Sequence, residues 1–179
     1  MQVTVLMPVY NAERFLDDSI GSLLSQTIKD WKLICIDDGS TDSSLQILRK
    51  YEADNERIKV LVQENAGPAV ARAKAIEFVD TEYVSILDSD DAYAPDYVEL
   101  MLKRAEETNA DSIVPDVEFG YGNTKKIPKS IQIKPPKRTN IDKRREASIC
   151  HDHSLETTWM ANDSYLLGQT ILYRSQRFI

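Results

Sequence analysis

The sequence is poor in cysteine and histidine, with two of each among its 179 residues. Cys35 and Cys150 lie far apart in different contexts, so they predict no disulfide framework. Both histidines belong to the segment 150–153, which lacks the two separated ligand pairs of a structural zinc site. We therefore expect neither a disulfide-stabilised scaffold nor a structural zinc domain.

Several common catalytic and nucleotide-binding motifs are also missing. The chain has no Gly-rich loop ending in Lys-Ser/Thr and no GxGxxG after a strand, which argues against a P-loop ATPase and a dinucleotide-binding enzyme. It has no GxSxG nucleophile elbow, which argues against a serine hydrolase. If the chain binds a nucleotide, it uses a different kind of site.

Positive charge is in deficit, with 22 Lys and Arg against 29 Asp and Glu and a net charge of -7 at pH 7. Phosphate-backbone binding needs a basic surface, so we expect no nucleic-acid partner. The apolar start, MQVTVLMPVYN, is too short to span a membrane and lacks a basic leader, and no longer apolar run follows. We expect a cytoplasmic location.

What the sequence does contain is a regular alternation of short β-rich runs and helical runs from residue 3 to about residue 115. Such alternation predicts an α/β fold, with a mostly parallel sheet flanked by helices. We predict one domain: an α/β core at 1–115 and an irregular extension at 116–179 that returns as a strand. The predicted strands are Val3–Met7, Trp31–Ile36, Arg57–Val62, Tyr83–Leu87, Ser112–Val114 and one within Tyr165–Tyr173, and the predicted helices are Asn11–Gln26, Ser43–Ala53, Pro68–Val79 and Pro95–Asn109.

A polar motif follows each of the first four predicted strands. In parallel α/β sheets, ligands bind beyond the carboxyl ends of the strands, so we expect these motifs to line one edge of the sheet. The motifs are PVYN (Pro8–Asn11), DDGSTD (Asp37–Asp42), ENAGPAVAR (Glu64–Arg72) and DSDD (Asp88–Asp91).

Three carboxylates crowd the last of these motifs, at Asp88, Asp90 and Asp91. Like charges this close raise one another's pKa, so the cluster costs stability unless a cation or solvent relieves it. A solvated turn explains one or two of these acids. Because Asp88 and Asp90 point to the same side of an extended chain and have no His or Cys beside them, we predict that they bind Mg²⁺ or Mn²⁺.

The four motifs together resemble a known family. The stretch VTVLMPVYNAERFLDDSIGSLLSQT, followed by DDGSTD, NAGPAVAR and ILDSDDAYAPD, resembles the donor-binding half of the family 2 glycosyltransferases, which have the GT-A fold. The resemblance covers about residues 2–105, with the order and spacing of the motifs intact. It implies a nucleotide-sugar donor, chiefly a UDP-sugar, with Mn²⁺ or Mg²⁺ as cofactor and inversion at the anomeric carbon.

The resemblance also implies roles for individual residues. Pro8, Val9 and Tyr10 would border the nucleobase, with Tyr10 offering a stacking face. Asp38 would accept a hydrogen bond from the uracil ring N–H, which cytosine lacks at that position. Arg72 would hold Asp38 or a phosphate through its planar guanidinium.

At the other end of the donor, Asp88 would meet the ribose hydroxyls and Asp90 would ligate the metal that bridges the diphosphate. Each role has a purely structural alternative. Tyr10 could be a core aromatic at a strand end, Asp38 a turn residue that bonds its own backbone, and Arg72 a solvated helix residue.

We expect the segment 116–179 to lie on the acceptor side of the site. The resemblance implies that the acceptor is a saccharide or lipid-linked saccharide in surface polysaccharide assembly. In the family, the general base is an acid downstream of a strand that LLGQTILYRSQRFI resembles, and no acid follows Asp163 here. We therefore expect the base to lie beyond Ile179 in a longer protein, with Asp163 and Glu156 as weaker candidates. A non-catalytic nucleotide-sugar-binding module and a nucleotidyltransferase are the alternative hypotheses.

Nine of the 22 Lys and Arg residues lie between Lys125 and Arg145. A solvated excursion of the chain is the simple interpretation of this run. The functional alternative is contact with anionic lipid-linked sugars or with the inner face of the membrane, in the manner of a polybasic segment.

Overall fold

The structure is a computed structural model that describes residues 1–115 and 172–175. Within that part of the chain, the strands are β1 (Val3–Val9), β2 (Trp31–Asp37), β3 (Ile58–Val62), β4 (Tyr83–Ile86), β5 (Ser112–Ile113) and β6 (Leu172–Arg174). They form one sheet in the order β3-β2-β1-β4-β6-β5. The first four strands are mutually parallel, and β6 runs antiparallel between β4 and β5. The predicted mostly parallel α/β sheet is therefore confirmed.

The described helices are α1 (Leu16–Leu24), α2 (Ser44–Asp54), α3 (Pro68–Ile76) and α4 (Tyr97–Thr108). Each lies within or close to its predicted range. None of the helices in these residues is both long enough and apolar enough to cross a bilayer.

Two boundaries differ from the predictions in ways that matter for the strand-end motifs. β1 pairs with β2 through Val9 but with β4 only through Leu6. The missing N–H of Pro8 therefore breaks no hydrogen bond to β4, and the strand continues through Pro8. Helix α1 begins only at Leu16, five residues later than predicted from Asn11. Asn11 has a left-handed backbone (φ 50°), which a right-handed helix excludes, and the N–H groups of residues 11–13 bond to the side chains of Ser40, Ser44 and Asp42.

The core lies on both faces of the sheet, because alternate strand residues point to opposite faces. One face packs against α1, α2 and α4, and the other packs against α3. The first core layer includes Val5, Met7, Leu16, Ile20, Leu33, Leu48 and Met101, and the second includes Leu6, Ile34, Ile36, Ala71, Ala75 and Val84.

Polar side chains cover the outer edge of β3, which is the first strand in the sheet order. Glu52 accepts a hydrogen bond from the backbone N–H of Val60 (2.7 Å), and Arg49 donates to the Val60 carbonyl (3.1 Å). Lys74 donates to the carbonyl of Val62 (3.0 Å). These bonds satisfy backbone groups that an uncovered edge strand would offer to another chain.

We expect Glu52→Ala to lower the free energy of unfolding by about 1–3 kcal/mol, because the buried Val60 N–H loses its acceptor. Urea unfolding measures this loss. Glu56→Ala is the matched control, because Glu56 is exposed and should change stability by less than about 0.5 kcal/mol. Equal unfolding free energies for the two variants would contradict the role given to Glu52.

Candidate functional site

The four strand-end motifs meet at one edge of the sheet, since β1 to β4 are parallel and their loops leave on the same side. Side-chain hydrogen bonds connect the first motif to the second, the second to the third, and the third to the fourth. The four motifs thus lie together at one edge of the sheet, as predicted, and hydrogen bonds join each motif to the next.

Asp38 lies at the centre of this assembly and is 2% exposed. Its Oδ1 accepts hydrogen bonds from Gln63 Nε2 (2.7 Å) and from the backbone N–H of Ala66 (2.8 Å). Its Oδ2 accepts one from the N–H of Gly67 (2.8 Å). Asp38 therefore fastens the loop that joins β3 to α3 and is not a turn residue that bonds only its own neighbours.

Burial by itself raises the pKa of Asp38, but the hydrogen bonds from Gln63, Ala66 and Gly67 outweigh it and hold the pKa below its ordinary value. The carboxylate is thus ionised at neutral pH. A carboxylate offers about four acceptor positions, and three are filled. In the described part of the chain, the fourth position, on Oδ2, has no hydrogen-bond donor.

Two glycines allow the second and third motifs to pack this closely. Gly39 has φ 72°, and a Cβ at this position would lie 2.9 Å from the backbone nitrogen of Asn65. Gly67 has φ 89° and turns the chain into α3, where Pro68 is the first helical residue. Both conformations strain residues that carry a side chain, so the backbone favours glycine at both positions.

The loops after β1 and β2 are joined through Asn11. Its Oδ1 accepts a hydrogen bond from the N–H of Thr41 (2.8 Å), and its own N–H donates to Ser40 Oγ (3.1 Å). Next along the chain, the N–H of Glu13 donates to Asp42 Oδ2 (3.1 Å). These bonds hold the segment in which Tyr10 is presented.

Tyr10 is 51% exposed, so the alternative that it is a core aromatic is wrong. Pro8 is half-buried beside it. Val9 differs from both, because its side chain is buried in the core and its carbonyl accepts the N–H of Asp38 (2.8 Å). Val9 therefore supports the edge from below, while Tyr10 offers an accessible ring.

We define the acidic turn as Asp88–Pro95, which follows β4. Arg72 Nη2 donates to Asp88 Oδ1 at 2.6 Å, and the two side chains are 15% and 25% exposed. Arg72 is therefore not a solvated helix residue, and its carboxylate partner is Asp88 and not Asp38. Arg72 Nε is buried and has no hydrogen-bond partner among residues 1–115 and 172–175.

The other two acids of the turn, Asp90 and Asp91, are exposed. Loss of hydration is the larger cause, and the negative charges of Asp90 and Asp88 are the smaller one, of a rise in the pKa of Asp91 to about 6. The predicted repulsion between the acids is thus present. A hard divalent cation would relieve it, because carboxylate oxygens are the donors such ions prefer. Among the described residues, no group of three or more His, Cys, Asp or Glu side chains is arranged to hold a metal ion.

Sequence reasoning missed the residues that hold the acidic turn from beneath. Ser19, Ser22 and Gln26 are buried. They bond to backbone groups of the acidic turn and to the N–H of Val98, the second residue of α4. Their spacing of i, i+3 and i+7 places them on one side of α1 and of the turn that ends it. The sequence signal for this role is the occurrence of polar residues at that helical spacing, beside the apolar stripe of α1.

Several predicted features lie outside the described residues. These are the acids Asp163 and Glu156 and the basic run Lys125–Arg145. The returning strand is present as β6, whose residues overlap the predicted Tyr165–Tyr173.

The family model named "Glycosyl transferase family 2" matches residues 4–163. The match covers most of the chain, so the chain belongs to glycosyl transferase family 2. The sequence-based family prediction is confirmed.

Two relatives illustrate the family. The chain is 44% identical over 102 residues to TuaG of Bacillus subtilis (strain 168), which carries the name of a teichuronic acid biosynthesis glycosyltransferase; the match covers 56% of this chain and 40% of TuaG. It is 37% identical over 101 residues to a hyaluronan synthase of Pasteurella multocida, covering 56% of this chain and 10% of that protein. The chain spans less than half the length of these relatives.

Among solved structures, residues 1–349 of S. aureus TarS in complex with UDP-GlcNAc are similar to this chain. The TM-score is 0.62 at 27% identity, and the match covers 72% of this chain and 37% of that one. This likeness, together with the six-stranded sheet flanked by helices, confirms the predicted GT-A fold.

We expect Asp38→Asn to lower the free energy of unfolding by about 1–3 kcal/mol, because one amide oxygen replaces two acceptors and an NH₂ group then faces N–H donors. The folded pKa of Asp38 lies below its ordinary value of 3.8. The stabilisation is therefore fully present above pH 3.8 and is lost as the pH falls through the folded pKa.

Urea unfolding of wild type and Asp38→Asn at a series of pH values measures both effects. Asp54→Asn is the matched control, because Asp54 is exposed at the end of α2. A stability difference that grows as the solution is acidified would contradict the assignment of an ionised, hydrogen-bonded Asp38.

Proposed function

We propose that this chain carries the donor site of an inverting, metal-dependent glycosyltransferase that transfers a sugar from a UDP-sugar to an acceptor hydroxyl. The observation that carries the proposal is the hydrogen-bonded junction of the four strand-end motifs, which brings the exposed Tyr10, the ionised Asp38 and the acidic turn to one edge of the sheet. Membership of glycosyl transferase family 2 supports this chemistry over the nucleotidyltransferase hypothesis.

The nucleobase would lie against Tyr10 and Pro8. The exposed ring of Tyr10 offers a stacking face, and Asp38 offers its one remaining acceptor position to the ring N–H of uracil. Cytosine has no donor at that ring position and would meet the carboxylate with a lone pair. The similarity to TarS, whose structure contains UDP-GlcNAc, supports a uridine nucleotide.

The diphosphate would lie over the acidic turn. Asp88 and Asp90 would hold Mn²⁺ or Mg²⁺, and Asp88 would also meet the ribose hydroxyls. The bound ion supplies Lewis-acid stabilisation of the charge that grows on the departing diphosphate, a contribution of several kcal/mol in such sites. Arg72 orients the Asp88 carboxylate and adds a positive charge beside the turn.

These residues serve departure of the nucleotide, and attack by the acceptor hydroxyl needs a separate general base. We assign no base within the described residues. Asp163 and Glu156 are candidates for this base, and they lie outside the described residues. The acceptor would be a saccharide or lipid-linked saccharide of a surface polysaccharide, which the name of TuaG supports.

Contact of Lys125–Arg145 with the inner face of the membrane is part of the same proposal. The arrangement would place a cytoplasmic donor site beside a lipid-linked acceptor. Liposome binding that falls with salt, and is lost when these Lys and Arg residues are neutralised, is the expected result.

Calorimetry with UDP, GDP and dTDP, each with and without Mn²⁺, tests the donor site. We expect UDP to bind most tightly and Mn²⁺ to tighten it. Asp90→Asn should weaken the Mn²⁺ affinity of the UDP complex about tenfold or more, with UDP affinity in the absence of metal nearly unchanged.

Asp54→Asn, which removes an exposed carboxylate far from the acidic turn in sequence, is the control for that experiment. Mn²⁺-dependent UDP binding without hydrolysis of UDP-sugars would favour a donor-binding module without its base. If wild type binds none of the nucleotides, the proposed function is wrong.

A further inference from the structure

We propose that three buried side chains, which we call the polar stripe (Ser19, Ser22 and Gln26), are positioning residues that set the geometry of the acidic turn for its metal ion. The inference rests on the proposed function, because it concerns how Asp88 and Asp90 are held for a divalent cation. None of the three side chains would touch the donor or the metal.

Gln26 fastens the far end of the acidic turn. It is 1% exposed, and its Nε2 donates to the carbonyl of Ala94 at 2.6 Å. Its Oε1 accepts the N–H of Val98 at 2.9 Å, in the first turn of α4. The backbone N–H of Thr27 adds a bond to the carbonyl of Pro95 at 2.8 Å. The junction between the acidic turn and α4 is thereby fixed to the end of α1.

Ser22 and Ser19 fasten the turn closer to its carboxylates. Ser22 Oγ accepts the N–H of Tyr93 at 3.0 Å and donates to the carbonyl of Ser19 at 2.6 Å. Ser19 Oγ donates to the carbonyl of Asp88 at 3.4 Å. The stripe therefore contacts the turn at Asp88, at Tyr93 and at Ala94, on both sides of Asp90.

The Tyr93 side chain adds a second anchor on the core side of the turn. Its hydroxyl lies 2.8 Å from Ser85 Oγ and donates to the carbonyl of Ile86 (3.1 Å), and its ring stacks on Tyr97 with centroids 3.9 Å apart. The ends of the turn are thus fixed to β4, α1 and α4, while the Asp90 and Asp91 side chains stay exposed.

This division between fixed ends and free carboxylates has an electrostatic consequence. Three carboxylates lie within four residues of the acidic turn, and like charges this close repel one another and favour a wider turn. Hydrogen bonds that hold the backbone at Asp88 and Tyr93 oppose that spreading, so less ordering is needed when the cation binds. A buried polar side chain also lowers the stability of the fold unless it is hydrogen-bonded. For Gln26, the acidic turn and the start of α4 supply these hydrogen bonds.

The test compares Ser22→Ala and Gln26→Met with Ser25→Ala. Ser25 is exposed and directly follows α1, and the described residues give its Oγ one bond, to the carbonyl of Ser22 (2.9 Å). Ser25→Ala therefore repeats the chemical change without removing a bond to the acidic turn. For each protein, calorimetry gives the UDP affinity without metal and the Mn²⁺ affinity of the UDP complex. Urea unfolding reports whether the variant is folded.

We expect Ser22→Ala and Gln26→Met to weaken the Mn²⁺ affinity of the UDP complex about tenfold. Their UDP affinity without metal, and both affinities of Ser25→Ala, should stay within about twofold of wild type. Ser22→Ala is the smaller change, and it keeps the test decisive if Gln26→Met does not fold.

A purely structural role for the stripe predicts a different pattern. In that case both variants would lose stability but keep the Mn²⁺ affinity of wild type, or would lose UDP and Mn²⁺ affinity by the same factor, and either result overturns the positioning role. Failure of the wild type itself to bind nucleotide with Mn²⁺ is a separate outcome, which overturns the proposed donor site and the positioning role with it.

Discussion

The carboxylate of Asp38 lies where β2, the loop after β3 and the start of α3 meet. It is buried, ionised and bonded by three donors, and those donors come from a segment 25 to 29 residues later in the chain. Because an unpaired charge in that position would be strongly unfavourable, the loop can only close in the conformation that supplies the donors. The left-handed Gly67 and the first residue of α3 follow from that closure.

The second constraint on this edge of the sheet is the repulsion between the acids that follow β4. Arg72 neutralises part of this charge from α3, and Ser22 and Gln26 hold the backbone from α1 on the other face of the sheet. The carboxylates at Asp90 and Asp91 are left exposed. The two ends of the proposed donor site thus differ: Asp38 is buried and bonded by three protein donors, whereas Asp90 and Asp91 have exposed carboxylates.

The fold was largely predictable because each element carries its own local signal. β-rich runs and amphipathic runs alternate with short links, and both helix starts and strand ends are marked by Gly, Pro and Asp. The error at the start of α1 is instructive. Residues 11–15 continue a helical pattern, but the left-handed backbone of Asn11 breaks it, and the N–H groups of residues 11–13 bond to Ser40, Asp42 and Ser44, about 30 residues away. No local pattern contains those long-range bonds.

By itself, the sequence determined the order of the elements, the four motifs and the membership of glycosyl transferase family 2, because these depend on residue types at short spacing. Only the tertiary structure decided which groups pair. Arg72 bonds Asp88 and not Asp38, Val9 faces the core while Tyr10 faces solvent, and α1 carries a polar stripe for the acidic turn. Each of these depends on the distance and direction between segments far apart in the chain, which residue spacing along one segment does not fix.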